Sequence, residues 1–371
     1  MGFYNIINIK PDDGYRPTNN GQRLPATSNK QPETSNMKQF LKFIALTLLV
    51  SLIHTVVFSQ VTKVDAIGFT VKEMDRSVKF YADVLGFKKV SDNEYKGEEV
   101  EKLKNIFGIN LRVVRMQLGE EFIELTDYLT TGGRSIPEDQ HSNDLSFQHI
   151  AIVVSDMDKA YIQLKKFNVE HVSTAPQTLP KSIPGAEGIK AFYFHDVDNH
   201  NLELIYFPKG KGQAKWQTSS NKIFLGIDHT AIGTSNTESS AKFYNELLGI
   251  ERKGDSWNKG NEQEHLNNVE GASLHITGNR ASAGPGVEFL QYLQPGSGKV
   301  YPADTRADDL WFWQTTLFTN DAEALYNKLK SANVNFISKE LVHQHINGNH
   351  TKSFIVKDPD GHAMMIVERV K

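Results

Sequence analysis

The sequence predicts an α+β protein built from four βαβββ units arranged as two tandem domains, and three observations carry that prediction. A long internal repeat divides the chain, helical patterns recur four times behind short β-rich runs, and residues suited to a left-handed turn stand where each helix should stop. In the repeat, Val64-Asp65-Ala66-Ile67, Lys79-Phe80-Tyr81 and Leu85-Gly86-Phe87 return as Ile227-Asp228-His229-Thr230, Lys242-Phe243-Tyr244 and Leu248-Gly249-Ile250, so that Ala66 and His229 stand 163 residues apart (229 − 66). Leu103-Lys104-Asn105 returns as Leu266-Asn267-Asn268, Ile123-Glu124 as Val287-Glu288, and Asp196-Val197-Asp198 as Asp358-Pro359-Asp360. A period this long, repeated once, means duplicated domains rather than a solenoid.

Each unit opens on a short β-rich run: Ala66 to Val71, His149 to Val154, His229 to Thr234 and Gln314 to Thr319. A helix follows each, marked by apolar residues three or four apart at Val78/Tyr81/Leu85, Ala160/Leu164/Phe167, Ala241/Tyr244/Leu248 and Ala322/Leu325/Leu329. Gly86, Asn168, Gly249 and Asn333 supply the helix stops, and Asn320 with Glu323 has the spacing of a capping box. Several strands complete each unit. The Lys209-Gly210-Lys211-Gly212 stretch opens a linker over 209–222, which separates a first domain at 62–208 from a second at 223–371.

Composition narrows the function classes. With 371 residues and 39% hydrophobic content the chain can bury two cores. Its 41 basic and 44 acidic residues are balanced, with no long basic run, so nucleic acid is not an expected partner. The absence of cysteine excludes disulfides, thiolate ligands, a cysteine nucleophile and a lipidated cysteine. No phosphate-binding glycine loop followed by Lys-Ser/Thr is present, nor a G-x-S-x-G elbow.

Residues 1–36 are rich in Asn, Pro, Gly, Thr and Ser without an apolar period, and they read as a disordered extension. From Met37, two lysines precede an apolar run from Phe43 to Phe58, so 37–59 reads as a secretory signal with Met37 as initiator. Periplasmic or secreted localisation follows, with no stable membrane insertion after cleavage; the alternative is a retained anchor at 43–58.

The opening with Ser77-Val78-Lys79-Phe80-Tyr81 and Leu85-Gly86-Phe87, the Gln148-His149-Ile150-Ala151-Ile152 strand, and Asp196-Val197-Asp198 leading to Asn201-Leu202-Glu203-Leu204 resemble the vicinal oxygen chelate superfamily of glyoxalases, bleomycin-resistance proteins and extradiol dioxygenases. The second half resembles it equally, through Asp228-His229, Phe243-Tyr244, Leu248-Gly249 and Asp358-Pro359-Asp360-Gly361. The resemblance implies that each pair of units curls into a mixed-sheet cup with its helices outside. Metal ligands would come from the first and last strands of each unit.

Mapped on that basis, the first domain offers Ala66, Glu124, His149 and Glu203, and the second His229, Glu288, Gln314 and Met365. Neither has a full set of four. One imidazole with two carboxylates suits a divalent ion such as Zn, Mn, Fe, Ni or Co, so the first domain is expected to bind more tightly than the second. A glutamate inside an apolar strand can equally face solvent, and His149 can equally be a hydrogen-bonded core residue. The implied activity is metal-dependent, on a small oxygen-bearing substrate chelated through two oxygens, with Glu203 or Glu124 as proton carrier. Glyoxalase-like isomerisation or lysis ranks ahead of extradiol dioxygenation, which usually wants two histidines and one carboxylate. The alternative is a non-catalytic, bleomycin-resistance-like binding protein, and whether two copies pair is open. His265, the His343/His345/His350 cluster and Tyr193-Phe194-His195 are secondary candidates for the cups, and one face of Trp311-Phe312-Trp313 is expected to pack in the core.

Overall fold

The computed structural model describes residues 60–346 and 349–370, so the extension and signal segment read at 1–59 lie outside the described residues. The first unit comprises β1 (Val61–Thr70), α1 (Met74–Asp83), β2 (Lys88–Lys96), α2 (Glu98–Lys104), β3 (Asn110–Leu118) and β4 (Glu121–Tyr128). In the second are β5 (Phe147–Val154), α3 (Met157–Lys166), β6 (Gln177–Thr178), β7 (Lys190–His195) and β8 (Asn201–Tyr206). The third runs through β9 (Phe224–Gly233), α4 (Thr237–Ala241), β10 (Glu251–Lys259), α5 (Asn261–Asn267), β11 (Ser273–Arg280) and β12 (Gly286–Gln294), with a π-helical turn over Lys242–Leu247 extending α4. The fourth has β13 (Trp313–Thr319), α6 (Ala322–Ser331), β14 (Asn335–Phe336), β15 (Val342–Ile346), β16 (Asn349–Lys357) and β17 (Ala363–Val370).

Local chemistry explains the helix ends. Gly86, Asn168, Gly249 and Asn333 all adopt positive φ, as the stop pattern requires. The α6 cap differs by one residue from the Asn320 reading: Asp321 is the N-cap, and its carboxylate accepts from the Ala324 N–H at 2.9 Å.

Four units form two curved mixed sheets, but the pairing is not the one suggested by chain order. The first sheet runs β14-β16-β17-β13-β1-β4-β3-β2, with β15 on β16, and the second runs β10-β11-β12-β9-β5-β8-β7-β6. The first unit therefore joins the fourth, and the second joins the third. Each of the segments 62–208 and 223–371 gives one half to each sheet. At both centres the two opening strands run antiparallel, β1 against β13 and β5 against β9, while each unit's last strand lies parallel to its first.

The connections account for the exchange. The short 209–222 linker returns β9 directly beside β5. By contrast, the segments at 129–146 and 295–312 cross between the sheets and bind each other: Arg134 donates to Asp309 at 2.7 and 2.9 Å, Leu145 N to Lys299 O at 2.8 Å, and Gly298 N to Asn143 O at 2.7 Å. Their approach excludes side chains, since a Cβ on Gly133 would lie 1.7 Å from the Asp308 carbonyl oxygen.

Strand alternation sends Ile67, Phe69, Ile150, Ile152, Trp313 and Leu317 into the main core with the apolar faces of the helices. Trp313 stacks on Phe147 at 4.2 Å there, whereas Trp311 packs with Ile136, Tyr301 and Leu310. Two buried networks tie units together across this core. Tyr81 OH donates to Asp196 at 2.9 Å and His200 Nδ1 lies 2.9 Å from the same carboxylate; Tyr244, Asp358 and His362 repeat the arrangement at 3.0 and 2.9 Å. The alternate face of each sheet is left for a site.

Candidate metal centre

On the second sheet the parallel β5/β8 register sets Ala151 beside Glu203, the antiparallel β5/β9 register sets Ala151 opposite His229, and the β9/β12 register sets Ala231 beside Glu288. His149 stands opposite Ala231 on the same face. Four donors from two units therefore converge. Glu203 Oε2 lies 3.1 Å from His149 Nε2 and 3.5 Å from His229 Nε2, and Glu288 Oε2 lies 3.4 Å from His229 Nε2. Ligand atoms of His149, His229 and Glu288 all fall within 4.8 Å of one another.

The donor set fits a divalent cation on three grounds. Both imidazole Nε2 atoms are buried without an aligned hydrogen bond, an expensive state for a polar group unless something else takes the lone pair. Two carboxylates and two neutral imidazoles carry two negative charges, which a divalent ion would balance. Lastly, His229 Nδ1 lies 3.1 Å from Asp228 Oδ2, an outer contact that leaves Nε2 as the free donor. Asp228 is itself held by Arg280 at 2.7 Å, by Trp216 Nε1–H at 2.6 Å and by Gln213 at 3.0 Å, so the linker helps to fix His229.

Without a cation, protons bear the electrostatic load. Burial pushes the Glu203 carboxyl up, but His149 and His229 outweigh it and hold the group down at about 2. Burial likewise pushes His229 down, and the Glu288 carboxylate, with Asp228 and Glu203, raises it well above the ordinary imidazole value. Glu288 is raised by burial, with Glu203 adding to the shift and the histidines opposing it. Tyr193 packs on the His149 ring at 4.7 Å and its phenol is pushed far up, chiefly by burial.

The equivalent positions of the first sheet hold Ala66, Glu124, Gln314 and Met365. Here no cluster forms. Glu124 accepts from Arg115 at 2.6 Å, Gln314 Oε1 accepts from Lys104 at 2.7 Å, and Gln314 Nε2 lies 3.6 Å from Met365 Sδ. The grouping of Glu124 with His149 and Glu203 is therefore corrected: Glu124 belongs to the other sheet, because its unit pairs with the fourth rather than the second. Gln314 is separated from His229 and Glu288 for the same reason. The set read across two domains becomes one cluster of two histidines and two glutamates on the second sheet and, on the first, four positions of which Glu124 is the one carboxylate and none is a histidine.

Among the secondary candidates whose side chains are described, Tyr193 alone reaches the centre. His265 is exposed on α5, Phe194 is in the core, and His195 lies 3.6 Å from Glu170. His343 and His350 sit 6.0 Å apart on the β15/β16 hairpin, and the His345 side chain lies outside the described residues. Sequence reasoning missed Asp228, Lys104 and Arg115. A signal for the first was present in the Asp-His pair itself.

The Glyoxalase/Bleomycin resistance protein/Dioxygenase superfamily matches residues 63–204 and 226–366. The chain belongs to this family. No curated protein sequence matches it significantly. Among solved structures it is similar to glyoxalase I from Zea mays, with 18% identity, a TM-score of 0.54 and coverage of 83% of this chain and 92% of that one. It is also similar to a Bacillus subtilis chain provisionally named a dioxygenase, with 14% identity, a TM-score of 0.51 and coverage of 84% and 87% respectively. At these identities the likeness concerns the fold, and the site must be argued from its own residues.

Proposed function

We propose that the second and third units bind one divalent metal ion through His149, Glu203, His229 and Glu288, and that this centre acts on a small substrate with neighbouring oxygens in a glyoxalase-like isomerase or lyase reaction. The observation that supports this most directly is the pair of buried Nε2 atoms that face two carboxylates without an aligned hydrogen bond. When bound, the ion would supply Lewis-acid polarisation of the substrate oxygens.

The remaining tasks fall to the chain. Glu203 is pinned between two imidazoles, which suits a fixed ligand. Glu288 has a side chain 25% exposed, against 6% for Glu203 and 2% for His149, so it is the carboxylate best placed to take a proton at Oε from substrate and return it. Asp228 holds His229 in one tautomer, and Tyr193 shields His149 from water. Four protein donors, two of them carboxylates, favour this chemistry over ring-cleaving dioxygenation, which usually employs two histidines and one carboxylate. We also propose export directed by 37–59, which amino-terminal sequencing of the secreted protein tests: a mature chain beginning upstream of residue 37 would refute it.

Two measurements decide the metal and the catalysis separately. Elemental analysis should give one divalent ion per chain, lost in His149→Ala. With the metal loaded, incubation with dihydroxyacetone in deuterated water should exchange carbon-bound protons next to the carbonyl, and Glu288→Gln should stop this. A metal-loaded protein that exchanges no protons on this or related hydroxycarbonyl probes would leave only a binding role.

A further inference from the structure

The first sheet keeps a cavity of about 220 Å³ on the face where the second sheet gathers its ligands. At roughly 30 Å³ per water, this is room for a small organic molecule. Its wall is largely apolar, with Tyr95, Leu103, Val113 and Phe318 among the lining side chains. Three buried polar groups share it. Lys104 is 8% exposed and makes one hydrogen bond, to the neutral amide of Gln314. Thr316 and Ser353 are each 3% exposed, and neither hydroxyl oxygen has a hydrogen-bond partner among the described residues.

Charge accounting identifies what is missing. The cavity's two carboxylates are already committed: Asp65 accepts from Lys63 and Arg115 at 2.7 Å each, and Glu124 accepts from Arg115 at 2.6 Å. The Lys104 ammonium has no carboxylate within ion-pair distance among the described residues. Burial drives the amine down to about 8, which still leaves it largely protonated at neutral pH. A buried cation whose neighbouring carboxylate, Glu124, is already held by Arg115, beside unpaired hydroxyls and under an apolar wall, is an arrangement that a small anion would complete.

We propose that the first cup is a metal-independent site for a small organic monocarboxylate, whose carboxylate is received by Lys104 with Thr316 and Ser353 and whose apolar body lies against Tyr95 and Phe318. Nothing in this depends on the metal centre of the other sheet. The aromatic wall selects against a bare inorganic anion, and Lys104, the buried cation beside the two hydroxyls, selects for a carboxylate. Arg369, stacked on Phe318 at 4.5 Å and lining the same space, adds to the positive potential.

Calorimetric titration of the full chain with hexanoate and with benzoate tests the proposal, with hexan-1-ol and benzyl alcohol as neutral controls. The acids should bind at least roughly 10-fold more tightly than the alcohols. Lys104→Met should weaken the acids by a similar factor and bring them level with the alcohols, while Lys104→Arg should retain most of the binding. Binding should persist in His149→Ala, which removes the metal site but leaves this cavity intact. If Lys104→Met proves misfolded by circular dichroism, Thr316→Val and Ser353→Ala decide the matter through several-fold losses. The proposal falls if wild-type protein binds neither acid at millimolar concentration, if alcohol and acid bind alike, or if His149→Ala abolishes acid binding, which would assign the acid to the second cup.

Discussion

The two cups are the same construction with different contents. In each, an antiparallel pair of opening strands forms the centre and a parallel strand flanks it on either side. The same four face positions point inward: His229, Glu288, His149 and Glu203 in the second sheet, and Ala66, Glu124, Gln314 and Met365 in the first. The backbone register therefore does not depend on the ligands. In the second cup two imidazole Nε2 atoms face carboxylates without an aligned hydrogen bond; the first cup has made its carboxylate safe with Arg115 and set a lysine amine against the glutamine. Scaffold and chemistry have separated within one chain.

This contrast can be broken most forcefully at the donors. His149→Ala or Glu203→Gln should lower metal affinity by at least roughly 100-fold, whereas Gln314→Ala should leave it unchanged, as equilibrium dialysis against zinc or nickel would reveal. Equal losses from both cups would mean that the difference is illusory. The converse change is to give the first cup the second's contents: Ala66→His, Gln314→His and Met365→Glu, with Lys104→Asn to match Asn267, should raise the stoichiometry from one ion per chain to two. A variant that stays folded at one ion would show that the shell around the donors matters more than their identity.

Removing the outer support is expected to act more gently. Asp228→Asn should weaken metal binding by about 10–100-fold, and Asp65→Asn in the other cup should not alter it. Because the metal-free protein holds a proton on His229 well above the ordinary imidazole range, the ion must displace that proton, so affinity should rise with pH. Titration in buffers of different ionisation enthalpy measures the proton released; none released would contradict the arrangement.

Lys104 sharpens the comparison through stability. Its folded pKa of about 8 lies below the ordinary lysine value of about 10.4, so the unfolded chain holds the proton more tightly. The burial penalty is fully present below pH 8 and is relieved as the pH rises towards 10.4. Denaturant titrations across that window should show wild type gaining about 3 kcal/mol relative to Lys104→Met. The smallest contrast expected is between Tyr81→Phe and Tyr244→Phe. Each deletes one hydrogen bond to a buried aspartate, so both should cost about 1–3 kcal/mol, with no preference for either half.

The repeat made the units legible. Apolar spacing placed the helices, and Gly86, Asn168, Gly249 and Asn333 marked their ends because left-handed turns have few acceptable residues. The positions of the clustered side chains were legible too, since His149, Glu203, His229 and Glu288 occupy repeating places in their units. Their partnership was not. Strand pairing between units is a long-range choice, and four apolar opening strands of similar pattern carry no local mark of which partner they will meet. A clue was nevertheless present: the second and third units each carry one histidine and one glutamate, and only their union is complete. The roles of Lys104 and Arg115 depend on which side chains share a cavity, and chain order does not disclose that.

The exchanged pairing also constrains how such a chain can be made. Strand β1 finds its antiparallel neighbour where Val61 meets Thr319, while β5 meets β9 where Val154 meets Phe224. As the polypeptide leaves the ribosome, the inner pair of units can close first, enclosing the histidine-bearing face. The opening strand of the outer pair keeps an unsatisfied edge until β13 of the fourth unit has emerged. Early truncations should therefore spare the donors and expose a sticky ribbon.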